Sequence, residues 1–279
     1  MTRQIRTLLE SEIECLLKWA KLEGWNPGLD DATAFYEADP QGFFGCFVNG
    51  ELASAISAVA YDEGFGFIGL YISKPLHRGK GHGKRVWDHA MAYLGDRTIG
   101  LDGVPAQQAN YARMGFAQAY RTWRWSGRVS QSPSPTAAGI VALTPDLHDA
   151  IAALDKRAFP ASRSAFLDSW TGVPRHALAV IRNGTLTGYG VLRRCHDGYK
   201  IGPLFAESDE DACALFAALT VASDGEPVSI DVPEMQDVFS AHLTNIGFTK
   251  SFDTTRMYKG AAPDLEQRLV YGVTTLELG

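Results

Sequence analysis

The residues whose types and spacing bear most directly on chemistry lie in LYISKPLHRGKGHGKRVWDHAMAYL, where Arg78-Gly79-Lys80-Gly81-His82-Gly83 follows a strand-like run and leads straight into a helical pattern. Alternating glycines remove the Cβ atoms that keep an anion off the backbone. The N–H groups of a helix start then converge on one spot, and the helix dipole favours negative charge there. His77, Arg78, Lys80, His82, Lys84 and Arg85 crowd cations onto a helix end where cations alone are unfavourable, a conflict that a bound pyrophosphate relieves. A glycine-rich turn with a solvated basic face is the competing reading. Two other phosphate motifs fail. Neither the spacing nor the hydroxyl of a Walker A loop is present, and Gly64-Phe65-Gly66-Phe67-Ile68-Gly69 spells GxGxxG inside strand-like text, with no helix start to receive a phosphate.

Several elements must position this turn. Helices are expected at Ser11–Leu22, where Ser11 and Glu14 have capping-box spacing, and at Asp31–Ala38, capped by Asp30 or Asp31. Strands follow at Gly42–Val48, at Glu51–Tyr61 beyond the Asn49-Gly50 turn, and at Phe65–Ile72. A helix over His82–Leu94 gathers Val86, Trp87, Ala90 and Leu94 on one face. A strand at Thr98–Leu101, a short helix at Gln107–Met114 and two strands spanning Phe116–Trp125 complete the first half. Antiparallel hairpins leading into strand–helix–strand–helix predict an α/β fold, a mixed sheet covered by helices.

Between Ser126 and Gly139 the text SGRVSQSPSPTAAG lacks any apolar period and reads as a linker, which divides the chain into 1–127, a linker at 128–138, and 139–279. The halves echo one another. GFAQAYRTWRWSG at Gly115-Phe116 resembles GFTKSFDTTRMYKG at Gly247-Phe248, an offset of 247 − 115 = 132, and IGLDGVP matches VSIDVP so that Asp102 aligns with Asp231. Two divergent copies of one fold explain this most simply.

Composition bounds the rest. A chain of 279 residues, 46% hydrophobic and 21% charged, has material for two ordinary domains. A net charge of −6 argues against a nucleic-acid-coating surface. Cys15, Cys46, Cys195 and Cys213 are scattered, without zinc spacing, and no metal is expected. Neither a signal peptide nor an apolar run of roughly 20 residues is seen, so a cytoplasmic protein without membrane contact is expected.

Two motifs in order and spacing resemble the GNAT N-acetyltransferase superfamily. The pattern [Arg/Gln]-x-x-Gly-x-[Gly/Ala] falls on Arg78, Gly81 and Gly83, and Tyr-x-x-x-Gly-Phe falls on Tyr111 with Gly115-Phe116. Nearly the whole chain, from EGWNPGLDDATAFYEADPQGFF to the terminal VYGVTTLELG, is similar to bacterial two-domain members of the YitH type. The resemblance implies tandem GNAT folds and acetyl-CoA as co-substrate. It implies that the backbone of Leu70, Tyr71 and Ile72 meets the pantetheine arm, while Arg78, Gly79, Lys80, Gly81, His82, Gly83 and Lys84 wrap the pyrophosphate. Tyr111 would be the general acid toward the departing thiolate: a thiol has a pKa of about 8.5, and tyrosine, at about 10, can supply the proton. An aromatic packed beside its short helix is the plainer reading of Tyr111. Many members carry asparagine seven positions before this tyrosine; here the residue is Val104.

In the second half the matching turn reads AESDEDACALFAAL. Glu207, Asp209, Glu210 and Asp211 would repel a pyrophosphate, and Leu243 stands where the first half has Tyr111. One acetyl-CoA per chain is therefore expected, with the second half either shaping the acceptor pocket or stabilising the first. The acceptor is expected to be the amine of a small molecule or amino-acid-like compound. Glu23 leads Asp30, Asp31 and Asp102 as the group that takes its proton, although each also reads as a cap, a turn residue or a solvated charge. The resemblance implies that Trp25 and Asn26 line the acceptor pocket, although Trp25 reads equally as core, and Asp102 is expected near the acceptor. A non-catalytic acyl-CoA-binding or sensing protein and a protein-lysine acetyltransferase stay open as alternatives, as do monomer and homodimer.

Overall fold

A computed structural model describes residues 2–129 and 139–279; all but the first two residues of the expected linker lie outside the described residues. The first half runs β1 (Arg3–Thr7), α1 (Glu10–Leu22), α2 (Asp31–Ala38), β2 (Phe43–Val48), β3 (Glu51–Ala60), β4 (Phe65–Ser73), α3 (His82–Leu94), β5 (Thr98–Gly103), α4 (Pro105–Arg113) and β6 (Ala117–Gly127). The second runs β7 (Ile140–Ala142), α5 (His148–Ala158), α6 (Ser164–Thr171), β8 (His176–Arg182), β9 (Thr185–Arg194), β10 (Tyr199–Ala206), α7 (Asp209–Val221), β11 (Val228–Pro233), α8 (Asp237–Asn245), β12 (Thr249–Lys259) and β13 (Val270–Gly272). Among the described residues no helix is long and apolar enough to cross a membrane.

Local details differ from expectation at three places. Leu9, with no capping side chain, precedes α1, and the Glu12 carboxylate accepts its N–H at 2.8 Å, so the Ser11/Glu14 box is not formed. Strand β1 has too short a period to stand out in the sequence; it pairs with β2 along all five residues. The two strands expected over Phe116–Trp125 are one strand, β6, because neighbours flank it on both sides.

Those neighbours come from the second half. The single sheet is ordered β1-β2-β3-β4-β5-β12-β6-β11-β10-β9-β8-β7, with β13 beside β10. Strand β12 thus lies between β5 and β6, and β6 lies between β12 and β11. The halves have exchanged their equivalent last strands, which their internal likeness makes possible. Each exchanged strand carries an arginine to the aspartate of the other half. Arg256 donates to both oxygens of Asp102 at 2.9 Å, and Arg124 to those of Asp231 at 2.7 and 2.8 Å. The cores interlock similarly: Met257 packs with Val86, Trp87 and Leu101 under α3, while Trp125 packs with Phe216, Val228 and Phe248 under α7.

Strands β4 and β5 run parallel and paired only over Phe65–Ile68 and Thr98–Leu101, then part as a wedge. Strands β10 and β11 part likewise after Ile201 and Ile230. There the second wedge is filled by the chain itself, since β13 pairs Gly272 with Leu204 and Val270 with Phe205. Among the described residues, no strand fills the first wedge in this way.

Candidate active site

The open wedge begins at a bulge. Ser57 opposes Gly69 and Ala55 opposes Ile72, so β4 has one residue more than β3 in between. Leu70 absorbs it at φ 47°, a left-handed conformation that costs a leucine about 1–3 kcal/mol and re-aims the backbone beside it. Such bulges are over-represented at sheet edges, at barrel rims and next to active sites.

Beyond β4 the chain makes a short turn at Pro75–His77 and enters the glycine-rich segment. Gly79 and Gly81 have φ 73° and 78°, and Gly81 is the N-cap of α3. Among the described residues, no backbone N–H from Gly79 to Lys84 donates to a protein acceptor. Six donors at a helix start, unclaimed by the fold, suit a polyanion such as the diphosphate of a coenzyme. Gly83 is needed for closeness: a Cβ there would lie 2.9 Å from the Tyr71 hydroxyl and 3.0 Å from that of Ser73. The side chains divide differently. Lys80 is exposed, Lys84 binds Asp88 one turn along, and Arg78 donates to the Ser73 carbonyl and to the Glu23 carboxylate. His82 is enclosed with neither ring nitrogen partnered among the described residues, and burial lowers its pKa, which disfavours the cation expected from the sequence.

The wedge widens into a cleft of about 520 Å³. The first half lines it with Glu23, Trp25, Ile68 to Ser73, Arg78, Val104 and Tyr111; the second adds Phe252, Thr254, Leu276 and Glu277. Tyr111 sits on α4, which starts abruptly at Pro105 with Val104 as N-cap. Its ring stacks on Trp87 at 5.7 Å, and Gly103 clears room for it, since a Cβ there would lie 3.2 Å from the ring. Burial, with the Tyr71 phenol nearby, pushes the Tyr111 hydroxyl up to about 12, so it keeps its proton at neutral pH.

Other expected site residues are placed elsewhere or already engaged. Asp102 borders the cleft, but its carboxylate is buried and each of its oxygens accepts a hydrogen bond from Arg256. Asn26 is not in the lining. Its side chain exchanges hydrogen bonds with the backbone of Asp197, at 2.9 Å each, and its carbonyl accepts Lys200 Nζ at 3.1 Å. The loop of Trp25 and Asn26 is therefore fastened to the second half, with Arg124 and Lys200 also donating to the Trp25 carbonyl. Asp31 is buried outside the cleft, capping Gly28 N–H and lying 3.3 Å from Arg193 and 3.6 Å from Arg175; Asp30 receives Arg175 on its carbonyl. Glu23 lines the cleft while paired with Arg78. The residues that sequence reasoning missed are Phe252, Thr254 and Glu277. No local pattern marks them, because they reach the cleft through the strand exchange and the tail.

Leu243, matching Tyr111, is buried in the core under α7. The two helix ends share their closing geometry all the same: Phe116 N–H bonds to the Tyr111 carbonyl and Phe248 N–H to that of Leu243, after Gly115 and Gly247 at φ 93° and 87°.

Comparison with known proteins agrees with this architecture. The acetyltransferase (GNAT) family matches residues 7–116, and an acetyltransferase (GNAT) domain matches residues 151–272. A holothin acyltransferase from Pseudoalteromonas sp. (strain SANK 73390) is 34% identical over 270 residues, covering 96% of this chain and 92% of that protein. The uncharacterized N-acetyltransferase YitH of Bacillus subtilis (strain 168) is 24% identical over 98% of this chain and 97% of its own. Among solved structures, a putative acetyltransferase from Pyrococcus horikoshii superposes with a TM-score of 0.82 at 21% identity, over 99% of this chain and 96% of that one. A tandem GNAT protein from the clavulanic acid biosynthesis pathway gives 0.66 at 16% identity, over 94% and 100%. With the family matched in both halves and a named acyltransferase aligned almost end to end, the chain belongs to the GNAT acyltransferases, in their tandem form.

Proposed function

We propose that this protein transfers an acetyl group from acetyl-CoA to the amine of a small molecule, in the first-half cleft. The observation that supports it most is the run of N–H donors at residues 79–84, without a protein acceptor among the described residues and directly after Arg78, which lines the same cleft as Tyr111. Enzymes of this family take an acyl-CoA, which supplies an activated thioester when bound. The chain's own residues do the rest. Gly79 to Lys84 offer main-chain donors to the diphosphate, and Arg78 adds a charge. The unpaired edge of β4 at Leu70, Tyr71 and Ile72 offers the backbone to an extended arm, as a strand would. Trp87 and Gly103 hold the Tyr111 ring in place, and its protonated hydroxyl stabilises charge on the departing sulfur. A cleft of about 520 Å³ suits a small molecule.

The second half has another task in this reading. Its wedge is plugged by β13, acids crowd the start of α7, and Leu243 replaces the tyrosine, so it serves as wall and brace for one coenzyme site per chain. A thiol-release assay with acetyl-CoA and an amine panel headed by holothin tests the proposal. Turnover should fall about 10²-fold or more in Tyr111→Phe with acetyl-CoA affinity retained. Unchanged turnover removes Tyr111 from its role, and an absence of thiol release with every amine removes the activity.

A further inference from the structure

The wall contributed by the second half holds one carboxylate that the reading above leaves unused. Glu277 lines the cleft and is only 4% exposed. Among the described residues no hydrogen bond or ion pair engages its carboxylate, yet its oxygens are absent from the side-chain atoms that are both enclosed and unpartnered. They therefore keep some contact with solvent, in a residue that lines the cleft.

Surrounding cations are committed to other partners. Arg124 is held by Asp231 through two hydrogen bonds and Arg256 by Asp102 through two more. Arg193 lies 3.3 Å from Asp31, and Arg78 pairs with Glu23. Lys200 donates to the carbonyls of Trp25 and Asn26, while burial and the Arg124 charge lower its pKa. Glu277 thus brings a negative charge to this wall without a direct counter-ion.

Its position is fixed from several sides. After plugging the second wedge, the tail crosses to the first. The Thr275 hydroxyl accepts the N–H groups of Glu277 and Leu278 at 2.9 and 3.0 Å. Ser57 donates to the Glu277 carbonyl, Tyr61 to that of Leu278 at 2.9 Å, and Arg163 to that of Gly279 at 3.2 Å. Main-chain atoms of Glu277 abut Gly69, the residue just before the β4 bulge. In the same wall the enclosed hydroxyl of Thr254 has no partner among the described residues, Phe252 and Leu276 supply apolar surface, and Trp25 adds more from the first half.

We propose that Glu277 binds the ammonium of the acceptor and takes its proton, and that the acceptor is accordingly a small cationic alkyl amine with an apolar body. This rests on the acetyl-transfer reading and extends it. An alkyl amine of pKa about 10 is almost wholly protonated at neutral pH, and only its neutral form attacks. The ammonium gives one proton to the Glu277 carboxylate. Its lone pair forms the C–N bond to the acyl carbon while the C–S bond breaks, the electron pair leaving with sulfur. Sulfur takes the Tyr111 proton, the second proton shed by nitrogen restores Tyr111 through water, and Glu277 releases its proton to solvent.

The test compares wild type and Glu277→Gln with acetyl-CoA and two amine classes at neutral pH, alongside acetyl-CoA affinity and melting temperature. For alkyl amines kcat/KM should fall by about 10²-fold or more, as for loss of a general base. For weakly basic amines, already neutral, it should fall less than about 10-fold, since no proton need be removed before attack. An equal fall in both classes, or none, overturns the proposal. On the wild type itself, the alcohol isostere of an accepted amine should compete about 10-fold more weakly, because a charge-assisted hydrogen bond exceeds a neutral one. Equal competition also overturns it, whether or not the variant folds. Failure of the wild type to bind acetyl-CoA or to release thiol would instead count against the acetyl-transfer reading itself.

Discussion

A methyl group placed on Gly69 would sit 1.9 Å from the carbonyl oxygen of Glu277, although the two residues belong to opposite halves of the chain. The contact is main chain against main chain, so no rotamer change relieves it. Through it, the tail that fills the second wedge is seated on the bulge of the first.

Gly69→Ala should therefore push the tail outward. Overpacking at such a point costs about 1–3 kcal/mol, read as a lower denaturant midpoint. Alkyl-amine turnover should fall further than acetyl-CoA affinity. Unaltered stability and turnover would show that the tail is not held there.

The paired locks Asp102–Arg256 and Asp231–Arg124 join the halves, and losing one partner strands a buried charge. Asp102→Ala should cost about 3–5 kcal/mol. Because β12 completes the first half and β6 the second, wild type should unfold in one cooperative transition by both fluorescence and circular dichroism. Two separated transitions would contradict the exchange.

Glu23 binds Arg78 at a partly exposed site. Such pairs contribute about 0–1 kcal/mol, so Glu23→Gln should leave stability within that range. It also frees the Arg78 charge, so acetyl-CoA affinity should hold or rise, with kcat changed only a few-fold. A fall in kcat near 10²-fold at unchanged affinity would mark Glu23 as the base in place of Glu277.

Burial raises the pKa of Tyr111 to about 12 and raises those of Tyr61, Tyr93, Tyr120 and Tyr271 as well. The fold favours the neutral phenols. Their contribution is complete below the unfolded value of about 10 and is lost as pH climbs through the folded values, so stability should fall between about pH 10 and 12. Tyr111→Phe should flatten part of that fall in a pH series of denaturant midpoints, and an identical slope would argue against its burial.

Sequence made the glycine-rich turn before α3, the position of Tyr111 and the doubled architecture legible because each is local: glycines spaced by two, a tyrosine four residues before Gly115, an echo of Gly115-Phe116 in Gly247-Phe248. The exchange of β6 and β12 was not legible. Two equivalent strands satisfy the same periodicity in either slot, and only long-range pairing chooses. Glu277 was missed for a similar reason: its carbonyl meets Ser57, 220 positions away, and nothing near it in the chain suggests a cleft. The family resemblance implied an acceptor-pocket place for Asn26, but its amide is spent on Asp197.

The most direct test of the coenzyme site is amide hydrogen exchange with and without CoA, since exposed helix-start N–H groups exchange fast until a ligand accepts them. Exchange should slow at residues 79–84 and stay the same at residues 207–212, where the second half has its acidic counterpart. No slowing at 79–84, or equal slowing at both segments, would contradict a single coenzyme grip in the first half.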